Sequence, residues 1–218
     1  MAEAGIDKSV VLPVATRPEH LSSNFWYGKL AQETEGKIIP FGSYHPEASL
    51  EVVEAFPQLG LVGLKIQPNA WKINPSDSRL FPLYKLAERL GLVILFHAGD
   101  EEGGKKGEFS EPAMFVPVLK KFPGLKVVLA HLGGYQRWEE IEPLLSFPQV
   151  FFDTSYTLHP LGREKFLALI EKIGKERVVF GTDFPFRSQK EEKETLFSWL
   201  GEESPVFQIN AEKVLSLS

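Results

Sequence analysis

The sequence predicts an α/β fold built on a parallel sheet with helices outside it. Three observations carry that reading. Short apolar runs alternate with helical stretches along all 218 residues. Strand starts recur every 23 to 34 residues, the length of one strand-plus-helix unit. The apolar runs are apolar on both sides, as strands covered on two faces must be. Alternation of this kind fits either an open doubly wound sheet or a (β/α) barrel.

The strand candidates are 9–14, 38–42, 61–66, 92–97, 126–131, 150–153 and 178–183. Each is short, rich in β-branched or aromatic residues, and bounded by Gly, Pro or polar residues. Helices are expected at 24–33, 46–56, 77–90, 111–122, 136–145, 163–173, 189–200 and 210–217. The 77–90 stretch has Leu80, Leu83, Leu86 and Leu90 at helical spacing, with Gly91 placed as a stop. Pro112 suits a first helical turn, and Lys120 and Lys121 suit a last one. Seven strands are recognisable, whereas a full barrel needs eight and roughly 250 residues. No linker, low-complexity tract or repeat interrupts the pattern, so residues 1–218 read as one domain.

Composition narrows the function classes. Hydrophobic residues make up 43% and charged residues 24%, as in an ordinary globular chain. The absence of Cys excludes disulfides, thiol catalysis and Cys-ligated metal. A net charge of -5 gives no footprint for nucleic acid or an anionic membrane. No apolar run reaches the roughly 18 residues of a membrane span. The first residues lack the basic and apolar regions of a secretory signal, so a cytoplasmic location is the default expectation.

The strand ends carry the chemistry. The 92–97 run ends in His97, the 126–131 run in His131, the 150–153 run in Asp153 and the 178–183 run in Asp183. In both candidate architectures the site forms where strand carboxyl ends converge. Neutral imidazole and carboxylate are ligands for zinc and similar divalent ions, and such an ion makes hydroxide available near neutral pH. The competing reading is that each is a hydrogen-bonded core residue or a helix cap. Asp153, before Thr154 and Ser155, is the one most easily read as a cap. Lys65, near the end of the 61–66 run, binds a substrate carboxylate, is carboxylated and bridges metals, or is a snorkelling lysine. The stretch Glu101, Glu102, Gly103, Gly104, Lys105, Lys106 reads as a charged surface loop, with a lid as the alternative.

An ordered set of motifs resembles one family. It comprises Gly63-Leu64-Lys65 with Gln67-Pro68, Phe96-His97-Ala98-Gly99, Leu129-Ala130-His131-Leu132-Gly133-Gly134, Phe152-Asp153-Thr154-Ser155 and Phe180-Gly181-Thr182-Asp183-Phe184-Pro185. The opening Gly5–Pro13 stretch and the closing Ile209–Leu215 stretch also fit. Together they resemble the amidohydrolase-related family of metal-dependent hydrolases. The resemblance implies a distorted TIM (β/α) barrel and a divalent metal, commonly zinc. It implies hydrolysis of a small organic substrate by metal-activated water; one branch of the family removes CO2 without oxidation. It assigns His97, His131 and Asp183 as metal ligands, with Asp183 the proton acceptor and His131 a catalytic group. Lys65 and Asp153 are expected to bind substrate.

One departure bears on this. The family opens with a strand ending in His-x-His, and no His-x-His occurs in this sequence. The first strand here then corresponds to the family's second. Three explanations follow: a piece of a longer protein, which is favoured; a natural variant completed by an oligomer; or a non-catalytic barrel that keeps a ligand site. A barrel open at one strand exposes edges, so a homo-oligomer covering them is expected.

Overall fold

The computed structural model describes residues 1–217. Strand β1 (Ser9–Val11) pairs in parallel with β2 (Ile38–Pro40). A second parallel sheet runs in the order β3 (Gly42–Ser43), β4 (Gly63–Ile66), β5 (Val93–Phe96), β6 (Lys126–Leu129), β7 (Val150–Asp153), β8 (Val178–Val179). The helices are α1 (Ser23–Glu33), α2 (Glu51–Glu54), α3 (Pro68–Trp71), α4 (Phe81–Leu90), α5 (Pro112–Lys121), α6 (Leu158–Ile173), α7 (Gln189–Leu200) and α8 (Ile209–Leu215). Among the described residues, no helix is long and apolar enough to cross a membrane.

The two sheets are one curved wall. β2 and β3 are a single run interrupted at Phe41. The Phe41 N–H donates to Val11 O (3.0 Å), and Val62 N–H donates to Pro40 O (3.1 Å). The run therefore passes its hydrogen bonds from β1 on one side to β4 on the other. Strand order equals chain order throughout, which is the order of a (β/α) barrel. Among the described strands β1 pairs only with β2 and β8 only with β7, so the ring is open between β8 and β1. Val10 and Val14, at that edge, are 37% and 38% exposed.

Alternation along the strands builds two cores. Leu64, Ile66, Ile94, Phe96, Val127, Leu129, Val150, Phe152 and Val178 point outward and join the helices in the larger core. Phe41, Val93, Leu95, Val128, Ala130, Phe151 and Val179 point inward and form the smaller one. Burying each such Leu, Ile or Phe contributes about 1.5–3 kcal/mol. α8 packs Val214, Ala211 and Leu215 against the inner cluster. Asn210 Nδ2 donates to Val178 O (2.7 Å) and Lys126 Nζ to Ser216 Oγ (2.6 Å), both at strand starts. α8 thus plugs the amino end of the barrel and leaves a cup open at the carboxyl ends.

Two expected helices are corrected. The 136–145 stretch is two short 3-10 turns, Trp138–Glu140 and Glu142–Leu144. Gln136 sits at φ +59° and Pro143 has no N–H, so a regular helix cannot run through them. Of 46–56 only α2 is helical. Pro57 disfavours helix at Phe56, and Leu50 to Glu54 form barely one turn. Helix α6 starts earlier than expected, at Leu158, and breaks at Gly162.

Asn24 of α1 does work that a ladder would otherwise do. Its Nδ2 donates to Ser43 O (2.9 Å), and its Oδ1 accepts from Ser43 N–H (2.8 Å). Both residues are buried. Asn24→Ala leaves two buried backbone groups without partners, so it should lower unfolding free energy by about 2–4 kcal/mol in urea denaturation. A loss under about 0.5 kcal/mol would show that water or a shifted backbone satisfies them.

Candidate active site

The alternation that points Val93 and Leu95 inward also points His97 inward. The same parity on β4 and β7 turns Lys65 and Asp153 into the cup. His97 is 7% exposed, His131 5% and Asp153 6%, whereas Lys65 is half-buried and Asp183 lies exposed at the rim.

Asp153 organises the group. Its Oδ1 accepts the His131 N–H (3.0 Å), the Ser155 N–H (2.9 Å) and the Ser155 hydroxyl (2.5 Å). The His131 carbonyl in turn accepts from Trp138 Nε1 (2.9 Å). His131 and Leu132 sit at φ +59° and +53°, conformations that cost of order 1–3 kcal/mol each and need such restraint. Tyr156 and Asp183 sit at φ +59° and +57°, so left-handed backbone follows β6, β7 and β8 alike. Gly99, at φ +92°, lies so close to the Tyr135 backbone that any side chain there would collide with it.

The two imidazoles form a pair. His131 Nε2 lies 3.2 Å from His97 Nδ1. His131 Nδ1 faces the carbonyl and hydroxyl of Ser155 at 3.0 and 2.9 Å. His97 Nε2 faces Asp100 O at 3.2 Å and Glu101 Oε1 at 3.4 Å. Both outer ends of the pair therefore meet acceptors. Two neutral rings carry two N–H groups for three contacts, so a third proton completes the chain. Burial pushes both rings below the ordinary histidine range, His97 furthest, and His131 and Lys65 add to the opposition to charge on His97. Asp153 and Asp183 favour charge on His131. The pair therefore resists the third proton and gives it up readily once it is there, so it can act as a base toward a stronger acid and as an acid when protonated.

Lys65 completes the cup. Burial pushes the Lys65 amine below the ordinary lysine range, and the charges of Asp153, Asp183 and Glu101 oppose that shift in part. An ammonium in such a setting can bind an anionic ligand. Of the residues expected from sequence, the fold brings His97, His131, Asp153 and Lys65 together. Asp183 is near enough to act through its charge, but its backbone turns it to the rim. Ser155 and Glu101 were not expected at the site. Glu101 stands four residues after His97, a spacing that could have marked it.

Among the described residues, no three His, Asp or Glu side chains are grouped to hold a metal ion. The facing nitrogens of the His97–His131 pair engage each other, and Asp183 follows β8 at the rim, within reach of His131 and Lys65 by its charge.

The histidine pair makes stability depend on pH. With folded-state affinity lowered, the unfolded chain takes up protons below pH 6.5 that the native pair refuses, so stability falls as pH drops from there. The urea midpoint of EDTA-treated protein should be lower at pH 5.5 than at 7.5, and His97→Gln should flatten the difference. Equal slopes in the variant and the parent chain would contradict the assignment.

Comparison with known proteins agrees with the fold. The family profile described as Amidohydrolase matches residues 13–213. The 2-amino-3-carboxymuconate-6-semialdehyde decarboxylase of Dictyostelium discoideum is 24% identical over 171 residues, covering 59% of this chain and 45% of that protein. The chain therefore spans about half the length of that relative. An uncharacterised TIM-barrel protein of Bordetella bronchiseptica superposes with a TM-score of 0.83 at 25% identity, over 99% of this chain and 80% of that one. The 5-carboxyvanillate decarboxylase of Novosphingobium aromaticivorans, solved with manganese and 4-hydroxy-3-methoxy-5-nitrobenzoic acid, superposes at 0.76 with 18% identity, over 98% and 77%. The fold is a distorted, partial TIM barrel, and the chain belongs to the amidohydrolase family.

Proposed function

We propose that this chain is a single barrel domain that removes CO2, without oxidation, from a small unsaturated carboxylic acid. The observation that carries the reading is Lys65, turned into the cup by the parity of β4, with the paired His97 and His131 rings at the neighbouring strand ends. Two relatives that share the family or fold are named as decarboxylases, which favours this reading over the hydrolysis expected from sequence. The balance is simple. The bond to the carboxylate carbon breaks and leaves its electron pair on the substrate. A proton then takes the place of CO2 there.

In this reading Lys65 holds the substrate near the pair, and His131, the member nearer Asp153, delivers the proton. Asp183, exposed at the rim, exchanges protons between solvent and the pair. Asp153 keeps His131 oriented through its three hydrogen bonds. A divalent metal belongs to this reading only as a group whose remaining ligands lie outside the set described above, and no step is assigned to it.

The test is CO2 release from 5-carboxyvanillate and from 2-amino-3-carboxymuconate semialdehyde, with manganese supplied. Lys65→Met should lower kcat/KM by about 10- to 100-fold, the worth of one hydrogen bond to a charged group. Asp183→Asn should lower it while leaving the fold intact. Turnover of a lactone or amide without CO2 release would restore hydrolysis. No turnover of either class by a folded protein would favour a non-catalytic barrel.

A further inference from the structure

Residues 100–110 leave β5 and cross the open end of the cup before α5 begins. The roots of this loop are tied. Gly99 N–H donates to Ser110 O (2.7 Å), and Ser110 Oγ donates to Gly99 O (2.7 Å). Asp100 Oδ1 accepts from Gly107 N–H (3.0 Å) and from Arg137 Nε (2.7 Å). Between the roots, Glu102 to Lys106 are exposed. Gly103 and Gly104 at the tip are left-handed, and a side chain added to either would meet nothing within 4 Å.

Two acidic side chains hold this exposed stretch down on opposite walls. Glu101 Oε1 accepts from Asn69 Nδ2 (2.5 Å), on α3 after β4, and sits 3.4 Å from His97 Nε2. Asn69 also takes the Phe109 N–H on its Oδ1 (3.0 Å). Glu102 Oε2 accepts from the Tyr156 hydroxyl (3.1 Å), beyond β7. Tyr156 stands edge-on to His131 at 6.1 Å, with the Arg187 guanidinium 4.6 Å over its ring. The loop thus spans the mouth from the β4 side to the β7 side. Its first carboxylate already occupies a place against His97, and its charge also acts on Lys65.

We propose that residues 101–106 form a strap across the cup, and that Glu101 holds the position of a ligand carboxylate until the strap lifts. The second half rests on the carboxylate-binding reading above; the first half does not. A ligand carboxylate and the Glu101 carboxylate compete for the same cations and repel each other. Ligand binding and strap opening are therefore linked, and the coupling runs both ways. Glu102 and Tyr156 supply the second latch, which sets how readily the strap lifts.

Lys105 and Lys106 on the strap make trypsin a direct reporter. The experiment follows cleavage after these two residues in the full chain by mass spectrometry. Tyr156→Phe and Asn69→Ala should each speed cleavage about tenfold, with the thermal midpoint unchanged for Tyr156→Phe, which removes only a hydroxyl. Benzoate should speed cleavage of the parent chain, and Glu101→Gln should bind benzoate several-fold more tightly by calorimetry. Parent-like cleavage in Tyr156→Phe would overturn the strap, whatever Asn69→Ala does. Benzoate binding that is unchanged or weaker in Glu101→Gln would overturn the role of Glu101. Benzoate binding to neither protein would remove that role and the carboxylate site with it, while the cleavage rates still decide the strap.

Discussion

One carboxylate oxygen fixes the geometry of the site. Asp153 Oδ1 gathers three donors from His131 and Ser155. The His131 peptide is held from its N–H side by Asp153 and from its carbonyl side by Trp138. That grip maintains a left-handed backbone at His131, and the backbone in turn aims the ring at His97. The Asp153 charge acts in turn on Lys65 and on His131. Removing the carboxylate would free the loop, the ring and the charge balance together.

The barrel supplies the platform for this grip. Alternation on β4, β5 and β7 places Lys65, His97 and Asp153 on the inner face, directly above the apolar cluster of Leu95, Val128 and Phe151. α8 closes the floor beneath this layer. An enclosed floor with a polar upper layer raises the strength of each electrostatic contact made there. It also explains why both histidines resist charge although carboxylates surround them.

Much of this was legible in the sequence, and the parts that were not share a cause. The strands, their order and the inward set of Lys65, His97 and Asp153 follow from local period and from polar residues ending apolar runs. Glu101 reads as a solvated charge because its neighbours in sequence are Glu102, Gly103, Gly104 and two lysines. Its position depends on Asn69, which comes from a different loop 32 residues away. Ser155 is given no role by its local pattern; its contact with His131 spans 24 residues. Asn24 looks like an ordinary helix residue, and only the handover of hydrogen bonds near Phe41 gives it a task. The 136–145 stretch has helical spacing, yet the left-handed Gln136 and Pro143 override it. Asp183 ends an apolar run as a ligand would, but the turn after β8 carries it to the rim. For Glu101, Ser155 and Asn24 a contact distant in sequence outweighs the local pattern; at 136–145 and Asp183 the backbone itself does.

The most direct test of the site is whether the two rings share a proton under the control of Asp153. In uniformly 15N-labelled, EDTA-treated protein, a through-hydrogen-bond coupling between His97 Nδ1 and His131 Nε2 reports that contact. The geometry predicts the coupling in the parent chain and its loss in Asp153→Ala, with the strand signals unmoved. No coupling in the parent chain, or a coupling that survives Asp153→Ala, would contradict the central place given to this carboxylate.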